Sequence, residues 1–74
     1  MIKITLGVEG MVCGMCESHV NDALRRAFPL RKVKSSRKKK ETIMMVEEDI
    51  EDAKIEAVMQ ATGYQLTSIH KESY

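Results

Sequence analysis

The sequence predicts an α+β fold with two helices packed on one face of a four-stranded antiparallel sheet. Three observations predict it. Apolar residues alternate with polar ones in the first eight positions, two later stretches change to a helical period, and the elements order themselves as β-α-β-β-α-β. Right-handed crossovers then place both helices on the same side. With 74 residues, one core is all the chain has material for, and a chain this short buries only roughly 60% of its unfolded surface.

Each element has its own signal. Ile2, Ile4, Leu6 and Val8 alternate with Lys3, Thr5 and Gly7, the period of a half-buried strand. Gly10 breaks it, and Met11 to Cys16 reads as a loop. From about Met15, Cys16, Val20, Ala23, Leu24 and Ala27 share one helical face, with Glu17, Asn21, Asp22 and Arg25 on the other. Pro29 stops that helix, because its ring cannot continue the hydrogen-bond ladder. Arg31 to Ser36 is a second strand with Val33 as its one clear apolar residue, and Arg37 to Lys40 is an exposed turn. Thr42 to Val46 is a strand by its β-branched content. If Ile43 and Met45 face inward, Met44 and Val46 lie on the open face. A second helix opens near Asp49, a plausible N-cap, with Glu51 and Asp52 at the positive end of its dipole. Ile50, Ile55, Val58 and Met59 form its apolar stripe and Gly63 its C′ residue. Tyr64 to His70 is the last strand. The βαββαβ order is the ferredoxin-like layout.

Composition excludes several classes. Apolar residues are 43% and charged residues 31% of the chain, which is globular rather than disordered. No apolar run reaches the ~18 residues of a membrane span. The alternating N-terminus does not resemble a signal peptide, so a cytoplasmic location without membrane insertion is expected. Two cysteines cannot make a disulfide-rich scaffold. The net charge of +1 conceals an asymmetry. Nine of the twelve basic residues lie between Arg25 and Lys40, and an acidic segment from Glu41 to Glu56 follows. Aromatics are 4% of the chain and none interleaves the basic run, so nucleic-acid binding is not expected.

The chemistry lies in Cys13 and Cys16, three apart at a strand-to-helix junction. The helix N-terminus favours thiolate there, and soft thiolates select soft metals. Three other readings compete. A dithiol oxidoreductase of the thioredoxin kind needs a longer chain and a proline facing the sulfurs, whereas Pro29 sits at the far end of the helix. A closed zinc site needs four ligands. His19 is expected partly in solvent, and His70 at the opposite end of the domain from the cysteines. A purely structural pair of buried thiols sits poorly with a glycine-flanked, exposed loop. Glu17 after Cys16 excludes covalent haem attachment. Met15 between the cysteines is an exposed loop residue or a thioether ligand.

The stretch Gly10-Met11-Val12-Cys13-Gly14-Met15-Cys16 carries a resemblance. Together with Leu6 to Glu9 before it, Val20 and Ala23-Leu24 after it, and Gly63-Tyr64 beyond the second helix, it resembles a heavy-metal-associated (HMA) domain spanning residues 1–74. The chain is similar to small bacterial copper chaperones. Val12 where the family usually has Thr, and Phe28-Pro29-Leu30 in place of a glycine after the first helix, are departures. The resemblance implies a non-enzymatic protein that binds one Cu(I) between Cys13 and Cys16. It further implies transfer by thiolate exchange to the metal-binding domain of a copper-transporting P-type ATPase. Met11 would anchor the loop, and Tyr64 would stand near the metal as in bacterial members. The alternatives left open are a detached ATPase domain, or a carrier of Hg, Cd or Zn. The protein would be a monomer or a metal-bridged dimer.

Overall fold

The computed structural model describes residues 1–73. The elements run β1 (Ile2–Glu9), α1 (Gly14–Ala27), β2 (Lys32–Ser36), β3 (Glu41–Val46), α2 (Asp52–Thr62) and β4 (Gln65–Ser73). The four strands form one antiparallel sheet in the order β2-β3-β1-β4. This is the expected α+β, ferredoxin-like fold.

The core forms between the sheet and the two helices. Ile4, Leu6 and Val8 from β1, Val33 from β2, and Met44 and Val46 from β3 meet Val20 and Leu24 of α1 and Ile55 and Met59 of α2. The inward set of β3 reverses the expectation stated for it. Thr42, Met44 and Val46 are buried, and Ile43 and Met45 are on the open face. Pairing decides this: Met44 stands opposite Ile4 and Val46 opposite Ile2, so they share the inward face of β1. An unbroken apolar run leaves a strand's two faces locally equivalent, and only its register with a neighbour distinguishes them.

The first helix ends as expected. Phe28, preceding Pro29, is extended at φ −135°, ψ 150°, and its N–H closes the last bond to the Leu24 carbonyl. Gly63 ends α2 in the left-handed conformation, φ 85°, where a Cβ would be strained.

The second helix starts at Asp52, not at Asp49, and its N-cap is Glu51. Asp49 is drawn elsewhere. Its carboxylate accepts from the Ile50 N–H at 2.9 Å and pairs with Lys71 at 3.0 Å. Lys71 also donates to the Ile50 carbonyl at 2.6 Å and pairs with Asp52 at 2.9 Å. One lysine of β4 thus gathers the segment before α2 and lets Ile50 enter the core. The segment could not be read locally because its organiser lies about twenty positions further on.

The last strand continues past His70 to Ser73, with Ile2 opposite Ser73 and Thr5 opposite His70. His70 is therefore midway along the sheet, exposed, beside Glu72 at 3.0 Å. The expectation that it marks the far end of the domain is corrected, since the strand carries on for three more polar residues. No helix among the described residues is long and apolar enough to cross a membrane.

Candidate metal centre

The loop between β1 and α1 is built by three constraints. Gly10 turns the chain at φ 100°, a region that favours glycine. The Tyr64 ring lies against it, 3.4 Å from where a Cβ would stand. Met11 then inserts into the core at 7% exposure, and so anchors the loop from below. Val12 and Met15 are 80% and 82% exposed and hold nothing down.

Cys13 is the N-cap of α1, with extended backbone and no side-chain cap. Its carbonyl accepts the first bonds of the helix, from the N–H groups of Cys16 at 3.1 Å and Glu17 at 3.3 Å. That winds the first turn so that the two sulfurs converge to 3.7 Å. Both are free thiols; Cys13 is exposed and Cys16 partly covered.

Tyr64, which the resemblance placed near the metal, stands beside Cys16, and its effect on that thiol is the part sequence reasoning did not reach. The Tyr64 hydroxyl beside the sulfur is the main cause that lowers the Cys16 pKa from 9.0 to about 7. Backbone hydrogen bonding from Val12 adds to it, while desolvation opposes it. The same hydrogen bond raises the pKa of Tyr64. His19 is not merely solvated: its ring stands edge-on to Tyr64, centroids 5.9 Å apart at 80°. A signal was present in the spacing, since His19 is one turn after Cys16 and so lies on the same side of the helix.

A second support comes from the β2–β3 turn. The Glu17 carboxylate accepts the Arg37 backbone N–H at 2.7 Å and meets the Arg37 guanidinium at 3.4 Å. The Lys40 carbonyl accepts the Val8 N–H at 2.8 Å, and its ammonium pairs with Glu9 at 3.6 Å. The basic turn is thereby held at the cysteine end of the molecule. Among the described residues, no group of three or more His, Cys, Asp or Glu side chains converges on one point. His19 and His70 do not join the cysteines in a four-ligand set. A cleft of about 620 Å³ lies at the other end among Phe28, Glu47, Glu48, Ile50 and Glu51 and has no thiol.

No protein-family profile matches the chain, and none of the curated proteins matches it by sequence. Solved structures do match. The N-terminal domain of ZntA in its apo form is 25% identical with a TM-score of 0.74, covering 96% of this chain and 92% of that one. The same domain in its Zn(II) form, also 25% identical, gives a TM-score of 0.76, over 97% of this chain and 93% of that one. A heavy metal binding protein of Thermotoga maritima, TM0320, has the same fold with a TM-score of 0.75 at 16% identity, covering 95% of this chain and 98% of that one. The chain has the fold of these heavy-metal-binding domains. The neighbours are metal-binding domains, and the chain is similar to them along nearly its whole length.

Proposed function

We propose that residues 1–74 form one heavy-metal-associated domain that binds a single soft metal ion, Cu(I), between Cys13 and Cys16 and transfers it without catalysis. The observation that carries this is the 3.7 Å approach of two free sulfurs at a helix N-terminus. Thiolate is the ligating form, and a Cys16 thiol with a pKa of about 7 releases its proton with little cost at neutral pH.

The choice of ion rests on the donor set. Two thiolates with no converging third carboxylate or imidazole suit a soft, low-coordinate ion. Zinc is most often held by four ligands in structural sites. A second reading, a carrier of Zn(II) or of Cd(II) or Hg(II), is favoured by the 25% identity to the ZntA domain, which is known in a Zn(II) form.

Transfer follows from exposure. The receiver is the metal-binding domain of a P-type ATPase, a copper transporter in the Cu(I) reading. An incoming partner thiolate adds to the ion beside exposed Cys13. One S–metal bond to this chain breaks for each that forms, and each released thiolate takes up a proton from water. No electron moves, and the ion keeps its charge. The working compartment is the cytoplasm.

Competition with a coloured Cu(I) chelator tests the proposal. The expected result is one Cu(I) per chain, with most of the affinity lost in Cys13→Ser and in Cys16→Ser and retained in His19→Ala and His70→Ala. Tighter binding of Zn(II) than of Cu(I), or an equal loss in His19→Ala, would replace it with the zinc reading.

A further inference from the structure

The open face of the sheet carries an apolar floor with a cationic rim, and it plays no part in holding a metal. Ile43 and Met45 project from β3 away from the helices and are partly exposed. With Lys3, Lys32 and Lys34 they line a cleft of about 270 Å³. A smaller hollow of about 160 Å³ continues from it past Ser36, Lys39 and Glu41. Among the described residues, none of Lys3, Lys32, Lys34 and Lys39 makes an ion pair. Three carboxylates share this face: Glu9 pairs with Lys40 at 3.6 Å, Glu72 stands opposite Lys3 in the ladder and beside His70 at 3.0 Å, and Glu41 lines the hollow.

We infer that this cleft is a docking site for an acidic protein segment in which one large apolar side chain is flanked by carboxylates. Charge complementarity selects that occupant. The four lysines exceed Glu41 and Glu72 in charge, so the rim keeps a positive excess that attracts carboxylates, and the lysine stems extend the apolar wall. An apolar anchor in a pocket with a polar rim is the usual anatomy of a protein–protein contact. A bilayer surface would use the four lysines but not the concavity. A nucleic acid would want aromatic side chains to stack on, and none lines the cleft. The face points away from the helices, whereas the cysteines lie at the start of α1, so an occupant leaves both thiols accessible.

A blocked synthetic peptide with one Phe between two pairs of Glu is the probe, titrated into the isotopically labelled chain and followed by amide chemical shifts. The expected result is saturable shifts confined to Lys3, Lys32, Lys34, Ile43 and Met45. Lys34→Glu and Met45→Ser should each weaken binding at least about tenfold. Changing the Glu residues of the peptide to Gln should do the same. Both variants alter open-face positions, and their unchanged Cu(I) titration reports an intact fold. The Cys13→Ser, Cys16→Ser double variant should bind the peptide as well as the parent chain does, which separates this site from the metal reading. Shifts at Arg37, Lys38 and Lys40 as large as those in the cleft, or equal affinity in Lys34→Glu, overturn the inference. Lys34-dependent binding to phosphatidylglycerol vesicles without peptide binding would assign the face to a lipid surface. Lys34-dependent self-association would assign it to a second copy of the chain.

Discussion

At the scale of single residues the balance between the two thiols is set by Tyr64. A cysteine at a helix start gains from the helix dipole, but the shift at Cys16 owes most to the phenol next to it. Tyr64→Phe keeps the ring that packs on Gly10 and His19 and removes only the hydroxyl. The expected outcome is a Cys16 pKa that rises from about 7 toward 9.0, read from the ultraviolet absorbance of thiolate against pH. The sign for stability follows. The folded pKa is depressed, so the contribution is fully present above 9.0 and lost as pH falls through about 7. The metal-free parent chain should therefore lose stability, relative to Tyr64→Phe, between those limits. Exposure alone makes Cys13 the faster thiol toward alkylating reagents. The lowered pKa raises the thiolate fraction of Cys16 near neutrality, so alkylation of Cys16 should rise with a midpoint near pH 7.

At the scale of elements, α1 is fixed to the β2–β3 hairpin by a small polar network inside the core. The Ser35 hydroxyl donates to the Asn21 side-chain carbonyl at 2.6 Å and lies 2.9 Å from the Thr42 hydroxyl. Ser35 is 8% exposed and Thr42 fully buried. Ser35→Ala leaves the Thr42 hydroxyl without that partner, at an expected cost of about 1–3 kcal/mol in denaturant unfolding. Thr42→Val on top of it removes the stranded hydroxyl at nearly constant shape. The double variant should then recover part of the loss; a further loss would show that the hydroxyls act independently. This network also shows what was legible in the sequence. The βαββαβ order, the Pro29 stop, the Gly63 cap and the CxxC loop were readable because each rests on local periodicity or on one residue's backbone preference. The start of α2, the faces of β3 and the length of β4 were not, because Lys71, Ile4 and the whole of β1 decide them from a distance. The cysteines and, one turn on, His19 were legible by spacing along α1, whereas Tyr64 was reached through the resemblance alone, because the chain between α2 and β4 brings it to Cys16 from a distance.

At the scale of the whole molecule, charge is sorted along the strands. The chain leaves the cysteine end at Lys40, beside Val8 and Glu9, and emerges from β3 at Glu47, Glu48 and Asp49. Six residues of strand, roughly 20 Å at ~3.3 Å each, lie between the basic turn and the acidic end. That separation exceeds the screening length of ~10 Å at 0.1 M salt, so the two ends present themselves to a partner independently. Within the basic turn the residues differ in what they do. Arg37 is engaged by Glu17, and Lys40 by Glu9 and by its own left-handed backbone, φ 57°. Lys38 and Lys39 are exposed and make no ion pair among the described residues. They are the pair free to attract an acidic acceptor toward the thiols. Attraction of this kind raises the association rate and weakens as salt screens it. Lys38→Glu with Lys39→Glu should leave Cu(I) affinity within about twofold, because neither residue touches the sulfurs and a twofold change is a small fraction of the ~1.4 kcal/mol that a tenfold change represents. Metal transfer to an acidic acceptor domain, followed by stopped-flow, should slow markedly in 10 mM buffer, where screening extends only beyond about 30 Å. The difference from the parent chain should shrink as salt is added. Equal transfer rates at low salt would reduce the turn to a solvated hairpin tip whose one structural duty is to carry Arg37 to Glu17.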